Sequence, residues 1–148
     1  MKSCFLFGHR DTPQSVLVGL ERAIEEEIQN GTSVFYAGNH GIFDSLAATA
    51  LRAVKQRHRE VSIMLVLTHH PAERAAELPV DFDGTFYPPL ETVPHRFGLV
   101  RANQYMVKTA DSIICYAKYP GNAMKLWELA MKQTETRQLR VKNLAETE

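Results

Sequence analysis

Phe35-Tyr36-Ala37-Gly38-Asn39-His40-Gly41-Ile42-Phe43-Asp44 joins an apolar run to a glycine-bracketed turn and then to a helical pattern. Read physically, it is a buried strand, a tight turn and the start of a helix. Gly38 and Gly41 can take backbone angles closed to other residues and, lacking side chains, let a ligand come close to the main chain. A helix beginning near Gly41 aims unpaired N–H groups and the positive end of its dipole at whatever lies above the turn. That is a site for an anion, most often a phosphate. Two glycines alone also make an ordinary tight turn, so the anion reading gains its force from the recurrence of the arrangement along the chain.

Upstream, Cys4 to Phe7 is a short apolar strand, ended by Gly8-His9-Arg10-Asp11-Thr12. Pro13 suits the first turn of a helix. Val16, Leu20, Ala23, Ile24 and Ile28 then recur at helical spacing, with Glu25 to Glu27 on a solvated face and Asn30-Gly31 as the stop. Val34 to Ala37 is the second strand. Downstream, Phe43, Leu46, Ala47, Ala50, Leu51 and Val54 predict a second helix, closed by the basic Lys55 to Arg59, which favours the helix dipole. Val61 to Leu67 is apolar almost throughout, as in the centre of a parallel sheet. Pro71 to Thr85 is a connecting segment, and Thr85 to Leu90 a short strand that Pro88-Pro89 bars from a central position. A third helix is predicted from about His95 to Ala110, with Phe97, Val100, Asn103, Met106, Val107 and Ala110 as one stripe. Ser112 to Ala117 follows as a strand ended by Lys118-Tyr119-Pro120-Gly121-Asn122, then a fourth helix through Ala123, Leu126, Trp127, Ala130 and Met131, and a short edge strand at Leu139 and Val141.

Strands alternating with helices predict an α/β fold, a single Rossmann-like three-layer sandwich with a mainly parallel sheet, filling residues 1–148 as one domain. Ligands in such folds bind beyond the carboxyl ends of the strands. Three of those ends carry the unusual residues: Gly8-His9-Arg10-Asp11, Gly38-Asn39-His40-Gly41 and Pro120-Gly121-Asn122.

The chain has 148 residues, 45% hydrophobic and 23% charged, with a formal net charge of zero, so it offers no electrostatic footprint for nucleic acid or an anionic membrane. Any anion site must be local. Cys4 and Cys115 lie inside apolar runs and read as buried free thiols of a reducing cytosol. With no segment resembling a signal peptide or membrane span, the expected location is cytoplasmic.

Phe7-Gly8-His9-Arg10-Asp11-Thr12, Gly38-Asn39-His40-Gly41-Ile42-Phe43-Asp44, Asn103-Gln104-Tyr105-Met106 ahead of Ala110-Asp111, and Pro120-Gly121 together resemble the SLOG superfamily of Rossmann-like domains, named for the DprA and Lonely-guy proteins, and most of all its YpsA-type bacterial branch of unknown function. The resemblance spans nearly the whole chain. It implies a nucleotide or nucleoside derivative bound at the glycine turns and, for the Lonely-guy enzymes, hydrolysis of the bond between base and ribose 5′-monophosphate. Those enzymes carry a proline-glycine-glycine-x-glycine-threonine-x-x-glutamate motif. The matching run here is Pro120-Gly121-Asn122-Ala123-Met124-Lys125-Leu126-Trp127-Glu128, which keeps the proline, the first glycine and the glutamate but not the second glycine, the third glycine or the threonine. Their arginine falls on Ala102, with Arg101 one position earlier and therefore turned by about 100°.

The resemblance makes Gly8, His9, Arg10, Gly38, Asn39, Gly41, Asp44, Arg101, Asn103, Pro120, Gly121 and Asn122 the candidate ligand-binding residues, and Glu128 the candidate catalytic group. Arg10 can clamp a phosphate bidentately or pair on the surface. His9 can bond a ribose or base, or pack in its turn. Asp11 and Asp44 read first as caps of loop N–H groups. Asn103 can read a polar group of the ligand or make a structural hydrogen bond. Glu128 can activate water for an oxocarbenium-like reaction or stand exposed on a helix. His9, Asp11, His40 and Asp44 lack tight metal-ligand spacing, and adjacent His69 and His70 diverge, so no metal is expected. The expected partner is a small-molecule nucleotide or nucleoside derivative. No further cofactor is required, and neither membrane nor nucleic acid is expected; self-association into a homo-oligomer stays open. The alternatives are a Lonely-guy-like nucleoside 5′-monophosphate phosphoribohydrolase and an interaction scaffold with a vestigial pocket. On the opening reading, Gly41→Val fills the space a phosphate needs and abolishes binding while leaving the fold largely intact.

Overall fold

The computed structural model describes residues 1–147. In chain order the elements are β1 (Lys2–Gly8), α1 (Val16–Gln29), β2 (Thr32–Ala37), α2 (Ile42–Arg57), β3 (Ser62–Val66), β4 (Gly84–Phe86), α3 (Gly98–Thr109), β5 (Ser112–Tyr116), α4 (Asn122–Gln133) and β6 (Arg140–Asn143), with short 3-10 turns at His95–Phe97 and Leu144–Thr147. The six strands form one sheet in the order β4-β3-β2-β1-β5-β6, and every neighbouring pair is parallel. From β1 the chain builds outward through β2, β3 and β4 on one side, then crosses back to lay β5 and β6 on the other. The sheet therefore has its topological switch point between β1 and β5.

Alternation along β1 divides the core. Cys4 and Leu6 join a cluster with α1 and α2 on one face. Phe5 and Phe7 join a cluster with α3 and α4 on the other. The wholly apolar strands are thus buried on both faces, giving a three-layer α/β sandwich of the Rossmann-like kind. Both cysteines are buried free thiols, and burial raises the pKa of each.

Several local expectations need correction. Pro13 lies in the turn ahead of α1, where its carbonyl accepts from Val16 N at 3.1 Å, and not in the helix. Glu27 is buried: its Oε1 accepts from Arg140 Nη2 at 2.7 Å and from Thr32 Oγ1 at 3.2 Å, tying α1 to β2 and β6. These partners outweigh the desolvation that opposes them and hold the Glu27 carboxyl below its usual pKa. The basic end of α2 is likewise paired, Arg57 and His58 with Glu25 and Lys55 with Asp83. The strand predicted to reach Leu90 stops at Phe86, short of the two prolines, and occupies a sheet edge. The buried face of α3 consists of Gly98, Ala102, Met106 and Val107, whereas Phe97 and Val100 are exposed. Gly98 is required by close packing: a Cβ there would stand 2.5 Å from the Thr68 carbonyl oxygen. No helix among the described residues is long and apolar enough to cross a membrane.

Candidate functional site

A cavity of about 280 Å³ lies at the switch point, beyond the carboxyl ends of β1 and β2 and the loop after β5. The N-termini of α2 and α4 abut it, and Leu99 and Asn103 on one face of α3 close its side. The three glycine-bearing strand ends singled out in the sequence meet here. Gly8, His9 and Arg10 come from the first, Gly38, His40, Gly41 and Asp44 from the second, and Tyr119 to Ala123 from the third.

The first strand end is spent largely on architecture. A Cβ on Gly8 would stand 2.5 Å from the Phe43 ring, so this glycine admits the aromatic that seals the cavity floor. His9 is buried, and its Nε2 accepts from the backbone N–H groups of Lys118 at 3.0 Å and Tyr119 at 3.4 Å. An acceptor Nε2 requires a neutral ring, in agreement with a pKa that burial lowers. The ring stacks on Tyr119 with centroids 3.8 Å apart, and the Tyr119 hydroxyl donates to Asp11, which pushes the phenol up to about 12. From the far side, the Asn143 amide accepts from Ala117 N at 3.0 Å and donates to Ala117 O at 2.9 Å. The loop after β5 is thus gripped on both flanks before it reaches Pro120. Arg10 is exposed at the cavity rim and has no ion-pair partner among the described residues.

At α2 the turn is already filled. A Cβ on Gly41 would stand 2.8 Å from the Arg10 Cα, and Ile42 N donates to Arg10 O at 2.8 Å. The space above this helix end is occupied by the backbone of the neighbouring loop. Gly41→Val would therefore strike Arg10's main chain and disrupt the junction, contrary to the expectation that it would only displace a phosphate. Asp44 Oδ2 accepts from His40 N at 2.8 Å, the capping role expected of it, and Gly38 is small because that oxygen would lie 3.0 Å from its Cβ. Burial raises the Asp44 pKa, opposed by the His40 N–H and the charge of Arg10. The His40 pKa is lowered, by burial first and then by Arg10.

At α4 the turn is open. Gly121, its N-cap, has φ +152° and ψ −169°, a conformation essentially confined to glycine. Nothing lies within 4 Å of the place where its Cβ would stand. The first N–H groups of the helix have no intrahelical acceptor.

Of the remaining expected residues, Asn103 and Pro120 line the cavity, and Asn122 does so as the first residue of α4. Asn39 is exposed and belongs to a neighbouring recess with Thr68 and His69. Glu128 and Arg101 are exposed, and neither lines the cavity. Arg101 is two residues from both Leu99 and Asn103, about 200° around the helix and so on its opposite face. Ala102, where the hydrolases carry their arginine, is fully buried. Tyr119, His40, Phe43, Leu99 and Leu126 line the cavity without having been singled out as ligand residues. Spacing could have found Leu99, one turn before Asn103, and Tyr119, next to the Pro120-Gly121 turn. No group of three or more histidine, cysteine or carboxylate side chains among the described residues is placed to hold a metal ion.

No protein-family model and no curated protein matches the chain. Among solved structures it superposes on DNA processing protein A (DprA) from Streptococcus pneumoniae, with TM-score 0.64 and 14% sequence identity over 95% of this chain and 50% of that one. The chain spans half the length of that protein. At this identity the likeness establishes a shared Rossmann-like fold.

Proposed function

We propose that the cavity at the β1/β5 switch point binds a nucleotide or nucleoside derivative, with its phosphate over the N-terminus of α4. The observation that carries this reading is the open Gly121 turn at the cavity, where nothing lies within 4 Å of the place of a Cβ and where the first N–H groups of α4 have no intrahelical acceptor. Arg10, exposed at the rim with no ion pair, adds a guanidinium for the same phosphate. The stacked His9 and Tyr119 rings supply an aromatic wall, and Asn103 an amide, for the uncharged part of the ligand. The resemblance to the SLOG superfamily, and the fold shared with DprA, favour the same ligand class.

Binding without glycosidic hydrolysis fits the site best. Cleavage of the bond between base and ribose needs an activated water and stabilisation of positive charge on the sugar. Glu128 and Arg101 stand on exposed surface outside the cavity. The test is mass spectrometry of small molecules retained by the purified protein, followed by calorimetric titration with nucleoside mono- and diphosphates. Retention and saturable binding of one nucleotide class is expected; no binding by any of them defeats the proposal.

A further inference from the structure

The two ends of the cavity differ in charge. At α4 it offers N–H donors with no intrahelical acceptor; at α2 the first N–H, that of Ile42, is taken by the Arg10 carbonyl, and the Asp44 carboxyl lines the cavity. Asp44 is fixed there by the His40 N–H on its Oδ2. Its Oδ1 makes no hydrogen bond, and no sealed side-chain oxygen among the described residues lacks a partner, so Oδ1 is an accessible acceptor on a side chain that lines the cavity. Burial raises the Asp44 pKa, against which the His40 N–H and the charge of Arg10 favour the ionised form, and in that form the carboxylate only accepts. It repels a phosphate from the α2 end and rewards a ligand that brings an O–H or N–H donor.

We propose that Asp44 is a specificity-determining residue that selects ligands carrying a hydroxylated sugar next to the phosphate, by accepting a hydrogen bond from a ribose hydroxyl on Oδ1. The inference rests on the reading of the cavity as a nucleotide site. Arg10 connects the two ends: its guanidinium is the one proposed for the phosphate, and its Cα packs 2.8 Å from the place of a Cβ on Gly41, three residues before Asp44, with both Arg10 and Asp44 lining the cavity. The group bonded to Asp44 is therefore the part of the ligand adjacent to the phosphate, which in a 5′-nucleotide is the sugar.

The experiment titrates the unaltered protein and Asp44→Asn with the four ribonucleoside 5′-monophosphates, their 2′-deoxy and 3′-deoxy counterparts, and inosine 5′-monophosphate. In Asp44→Asn the side-chain oxygen still accepts from His40 N, so the turn is kept, while the cavity-facing atom becomes a donor. The unaltered protein should prefer a ribonucleotide over at least one deoxy counterpart by roughly tenfold to a hundredfold, as for a hydrogen bond to a charged group. Asp44→Asn, which exchanges a bond to a charged group for a neutral one, should cut that preference to a few-fold by weakening ribonucleotide binding alone. Equal binding of ribo and deoxy ligands by the unaltered protein overturns the assignment whether or not the variant folds. So does a preference that survives undiminished in Asp44→Asn, or one that follows the amino group separating adenosine from inosine 5′-monophosphate. Binding of no nucleotide at all sinks the underlying reading of the cavity, and the assignment with it.

Discussion

The turn before α2 and the turn before α4 look alike in sequence, each a glycine-containing break between an apolar strand and an amphipathic helix, yet they use glycine for different ends. Gly41 is small because the Arg10 backbone packs against it, and the first N–H of α2 is consumed by the Arg10 carbonyl. Gly121 is small because its backbone takes φ +152°, and it faces empty space. One turn locks two loops of the protein together; the other leaves a helix end free for something from outside. A glycine turn at a strand end is thus a site only where the protein has not filled it.

The comparison is broken most severely by adding bulk to the closed turn. Gly41→Val should destabilise the protein by about 3 kcal/mol, because the obstruction is main chain that cannot swing aside. Urea or thermal unfolding measures this; a variant with unchanged stability and lost binding would return the phosphate to α2.

Prolines at the first position of each helix sharpen the contrast, since proline suits that position and removes only its N–H. Ile42→Pro deletes a donor that the Arg10 carbonyl needs and should cost about 2 kcal/mol of stability. Asn122→Pro deletes a donor that the protein itself does not use. It should leave stability within about 0.5 kcal/mol of the unaltered protein and weaken nucleotide binding roughly tenfold. Loss of stability in both, or of binding in neither, would erase the distinction.

The open turn is held by a neutral histidine, which gives it a pH dependence. The His9 pKa is lowered in the folded protein, so the stability due to the neutral ring is present above the unfolded histidine range and is lost as pH falls through the folded value. Protonation would turn its Nε2 from acceptor to donor against Lys118 N and Tyr119 N. Binding should weaken over the same acid window, and calorimetry across pH with His9→Gln as control checks it. The smallest effect is expected at Glu128→Gln: unchanged affinity, with no free base released from nucleoside monophosphates by either protein on chromatography.

Most of the framework was legible in the sequence because unbroken apolar runs such as Ser112 to Ala117 have no other place than a doubly covered parallel sheet. The face of α3 was not, since its inward positions include Gly98 and Ala102, too small to mark a hydrophobic stripe, while Phe97 and Val100 point outward. Glu27 read as solvated because its partner Arg140 arrives from the far end of the chain. The convergence of three strand ends on one cavity followed from alternation alone. Which turn is filled did not, because the filling of Gly41 comes from the Arg10 backbone in another loop, a contact that local spacing cannot encode.

The most direct test is to follow backbone amide resonances of the isotopically labelled protein while a nucleoside 5′-monophosphate is titrated in. The amides of Asn122 and Ala123 should show the largest shifts, saturating with ligand, while those of Ile42 and Phe43, at the end assigned to the sugar, should shift less. Saturable shifts confined to Ile42 and Phe43, with Asn122 and Ala123 unmoved, would contradict the assignment of the phosphate to α4.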